Sequence, residues 1–321
     1  MPDDLTRMTL QVKRAEAAAD RVLALSLEPG QGSLPAYQPG AHVEVSLPDG
    51  TTRPYSLIDW AGDADAPAAY HLGVLLEADS TGGSAHMHAL QTGDQVSIGA
   101  PKNSFALADG DAPALLIAGG IGVTPLISMA AALQARGAAY RFVYAARSPA
   151  AMAFRAELEA HHGDALVLHF DDQAGGPLDL ATLMQDAAPG THLYVCGPRG
   201  MIEAAREAAL QAGFTQDRIH FELFEKAATQ DGDQPFEVEL ASTGQVFSIP
   251  PGKSIIDVLE AEGIDLMYDC QRGDCGICQT EVLEGVPDHR DVVLSQAERD
   301  GGKVMQICVS RAKSARLKLD L

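Results

Sequence analysis

Nine residues near the C-terminal end, Cys270-Gln271-Arg272-Gly273-Asp274-Cys275-Gly276-Ile277-Cys278, constrain this chain more than any other stretch. Their cysteines are spaced C-x4-C-x2-C, and a fourth, Cys308, follows thirty residues later. Three thiols on one tight loop can wrap one side of a two-iron rhomb, and a fourth from a distant strand can close the other. That is the ligand pattern of a plant-type [2Fe–2S] cluster, with Cys270, Cys275, Cys278 and Cys308 as its ligands. A backbone folding around such a group must take up positive φ and bring amides close to sulfur, and Gly273 and Gly276 do both without a Cβ clash. Two ferric irons, two sulfides and four thiolates sum to a net negative charge, which those amides offset. A four-cysteine zinc site usually has two C-x2-C knuckles, and only one pair here has that spacing. A disulfide framework is disfavoured because the five cysteines are an odd number and no secretory signal precedes them.

The rest of the 321 residues has room for two or three domains. Lys and Arg number 23 against 44 Asp and Glu, a net charge of −21, so nucleic acid is not an expected partner. No run approaches about eighteen apolar residues, so no membrane span is expected. The opening Met1-Pro2-Asp3-Asp4 is acidic, unlike a targeting peptide, and a bacterial-type cytoplasm is the expected compartment.

Residues 9 to about 108 read as β-rich, with strands expected at Arg21–Leu27, His42–Leu47, Tyr70–Leu76 and Gln95–Ile98. Turns at Pro29-Gly30, Pro39-Gly40, Pro48-Asp49-Gly50 and Thr92-Gly93-Asp94 separate them, a rhythm that suggests a small barrel. Within it, Arg53-Pro54-Tyr55-Ser56-Leu57 puts a guanidinium and a phenol on one face of an extended segment. Arg53 offers a bidentate clamp for phosphate, Tyr55 a flat body with a polar tip, and Ser56 a donor. Downstream, Ser80-Thr81-Gly82-Gly83-Ser84 opens a short helix, which reads as a phosphate seat or as simple capping.

Residues 114–224 change rhythm. Apolar strands at Ala114–Ala118, Phe142–Ala145, Leu166–His169 and Leu193–Cys196 alternate with helices at Leu126–Ala135, Ala153–His161 and Met201–Ala212. The alternation predicts a doubly wound parallel α/β domain. Its first strand runs into Gly119-Gly120-Ile121-Gly122-Val123-Thr124-Pro125, where glycines allow a phosphate or nicotinamide to approach the backbone. Its fourth strand ends in Cys196-Gly197-Pro198, which places Cys196 and Thr124 on the same carboxyl rim of the sheet. The polar stretch 225–234 reads as a linker. Beyond it a small α+β domain is expected, with a hairpin at Thr243-Gly244, a helix near Ser254–Glu262 and the cysteine loop.

Taken together, these motifs resemble the phthalate dioxygenase reductase family end to end. His220-Phe221-Glu222-Leu223-Phe224, Asp288-His289-Arg290-Asp291 and Cys308-Val309-Ser310-Arg311 extend the likeness. The resemblance implies a β-barrel FMN domain over 1–110, an α/β doubly wound NAD domain over 111–224, a linker over 225–234, and a β-grasp-like plant-type ferredoxin domain over 235–321. It implies that Arg53 and Ser84, with Gly82 and Gly83, hold the FMN phosphate. Tyr55, Ser56 and the backbone of Gly73, Val74 and Leu75 would line the isoalloxazine, and Phe224 would pack on it. Gly120, Gly122, Thr124, Cys196, Gly197 and Pro198 would receive NADH, with Ser56, Thr124 and Cys196 nearest the hydride. Relatives often carry Arg where this chain has Thr81, and a basic residue where it has Leu75.

A nicotinamide gives up two electrons as a hydride, an oxygenase accepts them singly, and a flavin converts between the two. The implied function is electron transfer from NADH through FMN and [2Fe–2S] to a Rieske-type oxygenase acting on an aromatic carboxylate, an ether or a similar substrate. The expected form is a monomer. Arg147-Ser148 could receive a 2′-phosphate, but the resemblance favours NADH. Alternatives are a reductase for a separate ferredoxin or cytochrome, and a redox sensor that signals by partner binding.

Overall fold

The computed structural model describes residues 7–78, 80, 82–225, 230 and 232–321. Thr81 and half of the expected linker, residues 226–229 and 231, lie outside the described residues. The chain divides into two compact units, Met1–Glu222 and Leu223–Leu321. Among the described residues no helix is long and apolar enough to cross a membrane.

The first unit opens with six antiparallel strands: β1 Met8–Ala19, β2 Val22–Pro29, β3 His42–Ser46, β4 Thr52–Ser56, β5 Tyr70–Leu75 and β6 Gln95–Ile98. Their order is β4-β3-β6-β1-β2-β5, and a bridge between Ile58 and His71 links the two edges. Inward-facing Leu10, Val12, Leu27, Val43, Tyr70 and Leu72 fill the barrel. The expected strands omitted β1. Its sequence MTLQVKRAEAAA has only two fully buried residues, Leu10 and Val12, and much charge and alanine, so local composition argues against a strand. Pairing with β2 along most of its length, and with β6 at its start, holds it extended.

The same unit continues with five parallel strands: β7 Ala114–Gly119, β8 Tyr140–Ala146, β9 Leu166–Phe170, β10 His192–Cys196 and β11 Ile219–Glu222. Their order, β11-β10-β7-β8-β9, reverses direction between β7 and β10. This is the topological switch point at which open α/β sheets hold ligands. The edge strand β11 is the fifth, one more than the periodicity suggested, because four residues carry too little pattern to read. Val22, Ile58 and Phe105 join Leu116, Phe142 and Leu126 in a second apolar core, so residues from the barrel region pack into the core of the parallel sheet beside the barrel's own interior.

The second unit carries β12 Phe236–Leu240, β13 Val246–Ile249, β14 Gln279–Glu284, β15 Pro287–Asp288, β16 Val304–Gln306, β17 Arg311–Ala312 and β18 Arg316–Leu319. Five form one mixed sheet, β13-β12-β18-β14-β16, and β15 pairs with β17. The helix Ile255–Ala261 begins with a capping box, in which the Ser254 hydroxyl accepts from the Asp257 amide and the Asp257 carboxylate accepts from the Ser254 amide. Its Ile255, Ile256 and Leu259 pack on Val238, Met305 and Leu317 of the sheet. The end of the expected linker is anchored to this unit. Asp233 accepts from both terminal nitrogens, Nη1 and Nη2, of Arg290 and lies 3.8 Å from Arg311 Nε, with its side chain 6% exposed. Arg290 also donates to Asp288, which gives the Asp288-His289-Arg290-Asp291 motif a structural role.

Candidate functional site

The loop after β7 and the loop after β10 meet at the switch point through glycine. An added Cβ on Gly122 would lie 2.3 Å from the Cys196 carbonyl oxygen, and one on Gly119 would lie 2.8 Å from Pro198 Cδ. Only residues without a side chain allow this approach of two backbones. Gly120, at φ 55, faces open space, so a Cβ there would intrude only on an incoming ligand. Thr124, at the start of the helix Val123–Ala135, donates its hydroxyl to the Ile121 carbonyl at 3.0 Å. Its methyl group faces the barrel, 2.8 Å from where a Cβ on Gly73 would stand. The structure thus brings Gly73 and Thr124 together, along with the rim of Cys196, Gly197 and Pro198. Cys196 itself is fully buried.

The barrel side of the site is tied to that helix by Ser128, which the sequence did not single out. Its hydroxyl donates to the Leu57 carbonyl at 2.6 Å and accepts from the Asp59 amide at 2.9 Å. The Arg53–Leu57 segment is therefore held to the nucleotide side by a buried hydrogen bond pair. Phe154 was also missed. It adopts left-handed backbone (φ 59), and its ring lies 3.0 Å from a Cβ placed on Gly73. It meets Trp60 edge-on at 5.7 Å. No local signal marks it, since its position follows from the end of β8.

Arg53 and Gly83, thirty residues apart, are neighbours: an added Cβ on Gly83 would lie 2.9 Å from Arg53 Cγ. Arg53 donates to the Thr52 carbonyl at 2.8 Å and to Thr51 Oγ1 at 3.3 Å. Gly82 precedes the helix Gly83–Ala89 with φ 105. The Ser84 hydroxyl is buried, accepting from the Glu77 amide and donating to Ser80 Oγ. Tyr55 is half-buried against the barrel core, and burial pushes its phenol up to about 12 even with Arg53 opposing the shift. The phenol is therefore a neutral donor at physiological pH. His88 Nε2 lies 2.9 Å from the Val74 carbonyl and fixes the segment that continues to Leu75. A guanidinium against a glycine helix start, beside a neutral phenol and a strand glycine, is a donor set that fits a flavin phosphate and ring. Ser56 is buried at the end of β4.

In the second unit the cysteine loop folds as its glycines predict. Gln271, Gly273 and Gly276 have φ of 52, 84 and 79. A Cβ on Gly273 would lie 2.7 Å from Val309 and 3.0 Å from Asp291 Cα, so the loop is held against the segment that carries Cys308. Cys278 and Cys308 are buried, whereas Cys270 and Cys275 are half-buried. Cys270 lies against both Cys275 and Cys308, and Cys278 against Cys308. Those neighbours hold the Cys270 thiol far below its ordinary range, while Cys275 and Cys308 are pushed far up, first by their contact with Cys270. Four thiols this crowded cannot all ionise unless a cationic centre neutralises them, which fits an iron cluster as their resident group. Among the described residues no three His, Cys, Asp or Glu side chains are placed to hold a single metal ion. The four sulfurs are linked in a row, Cys275 to Cys270, Cys270 to Cys308 and Cys308 to Cys278, so the loop and the distant segment gather them at one place.

The Arg272 and Asp274 side chains between the ligands are buried and 3.6 Å apart. Burial pushes Asp274 up to about 7, against the pull of Arg272. Its carboxylate accepts from the Leu223 amide at 2.8 Å, tying the start of the second unit to the cluster loop. Phe224, the next residue, is 36% exposed.

Residues 238–313 match the 2Fe-2S iron-sulfur cluster binding domain family, and 101–219 match the N-terminal domain of the dimethylamine monooxygenase subunit DmmA-like family. The chain is similar to phenoxybenzoate dioxygenase subunit beta of Ectopseudomonas oleovorans, with 42% identity over 98% of this chain and 97% of that one. It is also similar to tetrachlorobenzoquinone reductase of Sphingobium chlorophenolicum, with 39% identity over 100% of both. The solved structure of phthalate dioxygenase reductase, described as modular for electron transfer from pyridine nucleotides to [2Fe–2S], matches with a TM-score of 0.71 and 33% identity over 98% of each chain. With relatives similar over their whole length and the four-cysteine loop in place, the chain belongs to the phthalate dioxygenase reductase family of flavin- and [2Fe–2S]-dependent oxidoreductases.

Proposed function

We propose that this protein is the reductase component of a Rieske-type non-haem iron oxygenase acting on an aromatic carboxylate, an aromatic ether or a similar substrate. The observation that carries the reading is the contact of Gly73 with Thr124, which joins the flavin strand to the nucleotide rim in a chain that also bears the four-cysteine loop. A flavin held there would supply the conversion between hydride transfer from NADH and the single-electron transfer that a one-electron cluster requires. In this reading residues 1–110 bind FMN, 111–224 bind NADH, 225–234 link, and 235–321 hold the cluster. Arg53, beside Gly82, Gly83 and Ser84, neutralises the phosphate. Tyr55, Ser56 and the Gly73–Leu75 backbone orient the ring, and Phe224 covers it. Gly120 and Gly122 admit the nicotinamide, which Thr124, Cys196, Gly197 and Pro198 align.

FMN is favoured over FAD by the order of the domains. Mass spectrometry of heat-released flavin checks this, and FAD as the major species would refute it. NADH is favoured over NADPH despite Arg147, and comparable kcat/KM values for the two would overturn that choice.

The test of function is anaerobic rapid mixing with NADH. Flavin absorbance should bleach first, and the electron paramagnetic resonance signal of a reduced [2Fe–2S] centre should follow. Addition of the partner oxygenase should then reoxidise the cluster. A second reading, a quinone as the terminal acceptor, is favoured by the whole-length likeness to tetrachlorobenzoquinone reductase. Reoxidation by a halogenated benzoquinone, and by no oxygenase, would select it.

A further inference from the structure

Gln306 ends β16, two residues before Cys308, and its side chain is fully buried. Directly across the antiparallel ladder stands Gln279, the first residue of β14 and the one after Cys278. The two strands deliver a glutamine pair to the cluster edge. Cys278 Sγ donates to Gln306 Oε1 at 3.4 Å, and Gln306 Nε2 donates to Gln279 Oε1 at 3.2 Å. The Gln306 backbone carbonyl is occupied separately, accepting from the Val309 and Ser310 amides, so the side chain is not needed to close the turn.

This arrangement belongs to the thiol. Once Cys278 ligates iron it loses its proton and its sulfur can only accept. A buried carbonyl oxygen facing a thiolate would be repelled and left without a donor. Half a turn about the terminal torsion of Gln306 exchanges its oxygen and nitrogen at almost no steric cost. Gln279 is solvent-exposed and can turn its own amide to donate to the freed Oε1. We infer that Gln306 is a positioning residue for the electron-transfer step, donating an Nε2–H hydrogen bond to the Cys278 thiolate and thereby raising the reduction potential of the cluster. A hydrogen bond to a sulfur ligand strengthens as the cluster gains negative charge, so it favours the reduced state. The inference rests on the assignment of the four cysteines as cluster ligands.

The test is an anaerobic redox titration of the full-length protein, followed by the paramagnetic signal of the reduced cluster. Gln306→Leu should retain iron and sulfide but reach half-reduction at a lower potential. A tenfold loss in the reduced-to-oxidised ratio at fixed solution potential corresponds to about 59 mV for one electron. Gln279→Leu should move the midpoint much less, because Gln306 keeps its donor. A second measurement needs no variant at position 306. Protein carrying Gln271→Ala, which removes the other glutamine on the cluster loop, and grown with side-chain-labelled 15N-glutamine should show a 15N hyperfine coupling to the reduced cluster. An unchanged midpoint in iron-replete Gln306→Leu, or no 15N coupling, would overturn the inference. Absence of any [2Fe–2S] signal in the wild-type protein would instead sink the ligand assignment, and this inference with it.

Discussion

The nucleotide rim and the cysteine loop solve the same problem, holding a redox group, by opposite means. At the rim the work falls to absent side chains: Gly122 lies against the Cys196 carbonyl, Gly119 against Pro198, and Gly73 against Thr124. At the loop it falls to side chains: four thiols, the buried Arg272–Asp274 pair, and Asp291, whose carboxylate accepts from the Val293 and Leu294 amides. A nicotinamide must enter and leave each cycle, and on the assignment proposed above it would do so at a cleft where two backbones meet at a switch point. A resident cluster is bound once, so its site can be closed by covalent ligands and buried charge. The first kind of site fails by steric intrusion, the second by loss of a ligand or a hydrogen bond.

That contrast breaks most sharply at Gly122. Gly122→Ala should displace the loops after β7 and β10 and slow flavin reduction by NADH about a hundredfold, the cost of misplacing a reacting group by about 1 Å. Iron content should stay at the wild-type level. Stopped-flow absorbance with iron analysis reads both, and a normal reduction rate would show that the loops yield without consequence.

A smaller effect is expected at Arg53, where a side chain does the work within the glycine-built unit. Arg53→Ala should weaken flavin binding about ten- to a hundredfold for the loss of one hydrogen bond to charge at about 1.5–3 kcal/mol, and by more if two are lost. Fluorescence titration of the apoprotein with FMN measures it. An unchanged dissociation constant would return Arg53 to a purely structural role beside Thr51 and Thr52.

The smallest effect is on acid stability. In the first unit His162 and His220 are each pulled down to about 4, chiefly by burial, and His71 and His192 are lowered for the same main reason. As pH falls from 6.5 towards 4 the unfolded chain takes up protons that these folded imidazoles refuse, so the unit loses stability across that window. The second unit has one such histidine, His289. Its Asp233 is held below the ordinary carboxylate range, first by the Arg290 hydrogen bond, and that contribution is lost only as the pH drops below the unfolded carboxylate value and through the depressed folded one. Calorimetry at pH 7 and pH 5 should therefore show the first-unit transition moving down by more degrees than the second. Equal shifts would contradict the burial assigned to the four histidines.

Much of the site was legible because it is covalent or conformational in kind. The spacing of Cys270, Cys275 and Cys278 permits few geometries, and Gly273 and Gly276 mark where the loop must turn. The strand–glycine–helix run at 114–135 and the strand end at Cys196 each announce a sheet rim. Less legible were groups whose importance is relational. Ser128 is one polar residue on a buried helix until Leu57 and Asp59 are seen above it. Asp233 belongs to a polar stretch until Arg290 closes on it. β1 looked unlike a strand because its partners, not its own side chains, hold it extended.

From the sequence alone came the chemistry: which atoms ligate, which backbone positions forgo a side chain, and the order of the barrel, the parallel sheet and the cysteine loop. These are local properties, set by bonds, by φ and by hydrophobic period within a few residues. Only the tertiary structure decided that Gly73 meets Thr124, that Arg53 meets Gly83, that Val22, Ile58 and Phe105 pack into the core of the parallel sheet, and that Gln279 and Gln306 stand opposite each other at the cluster edge. Such pairings depend on loop closure and strand register, which are settled by the summed packing of the whole unit rather than by any residue's own preference.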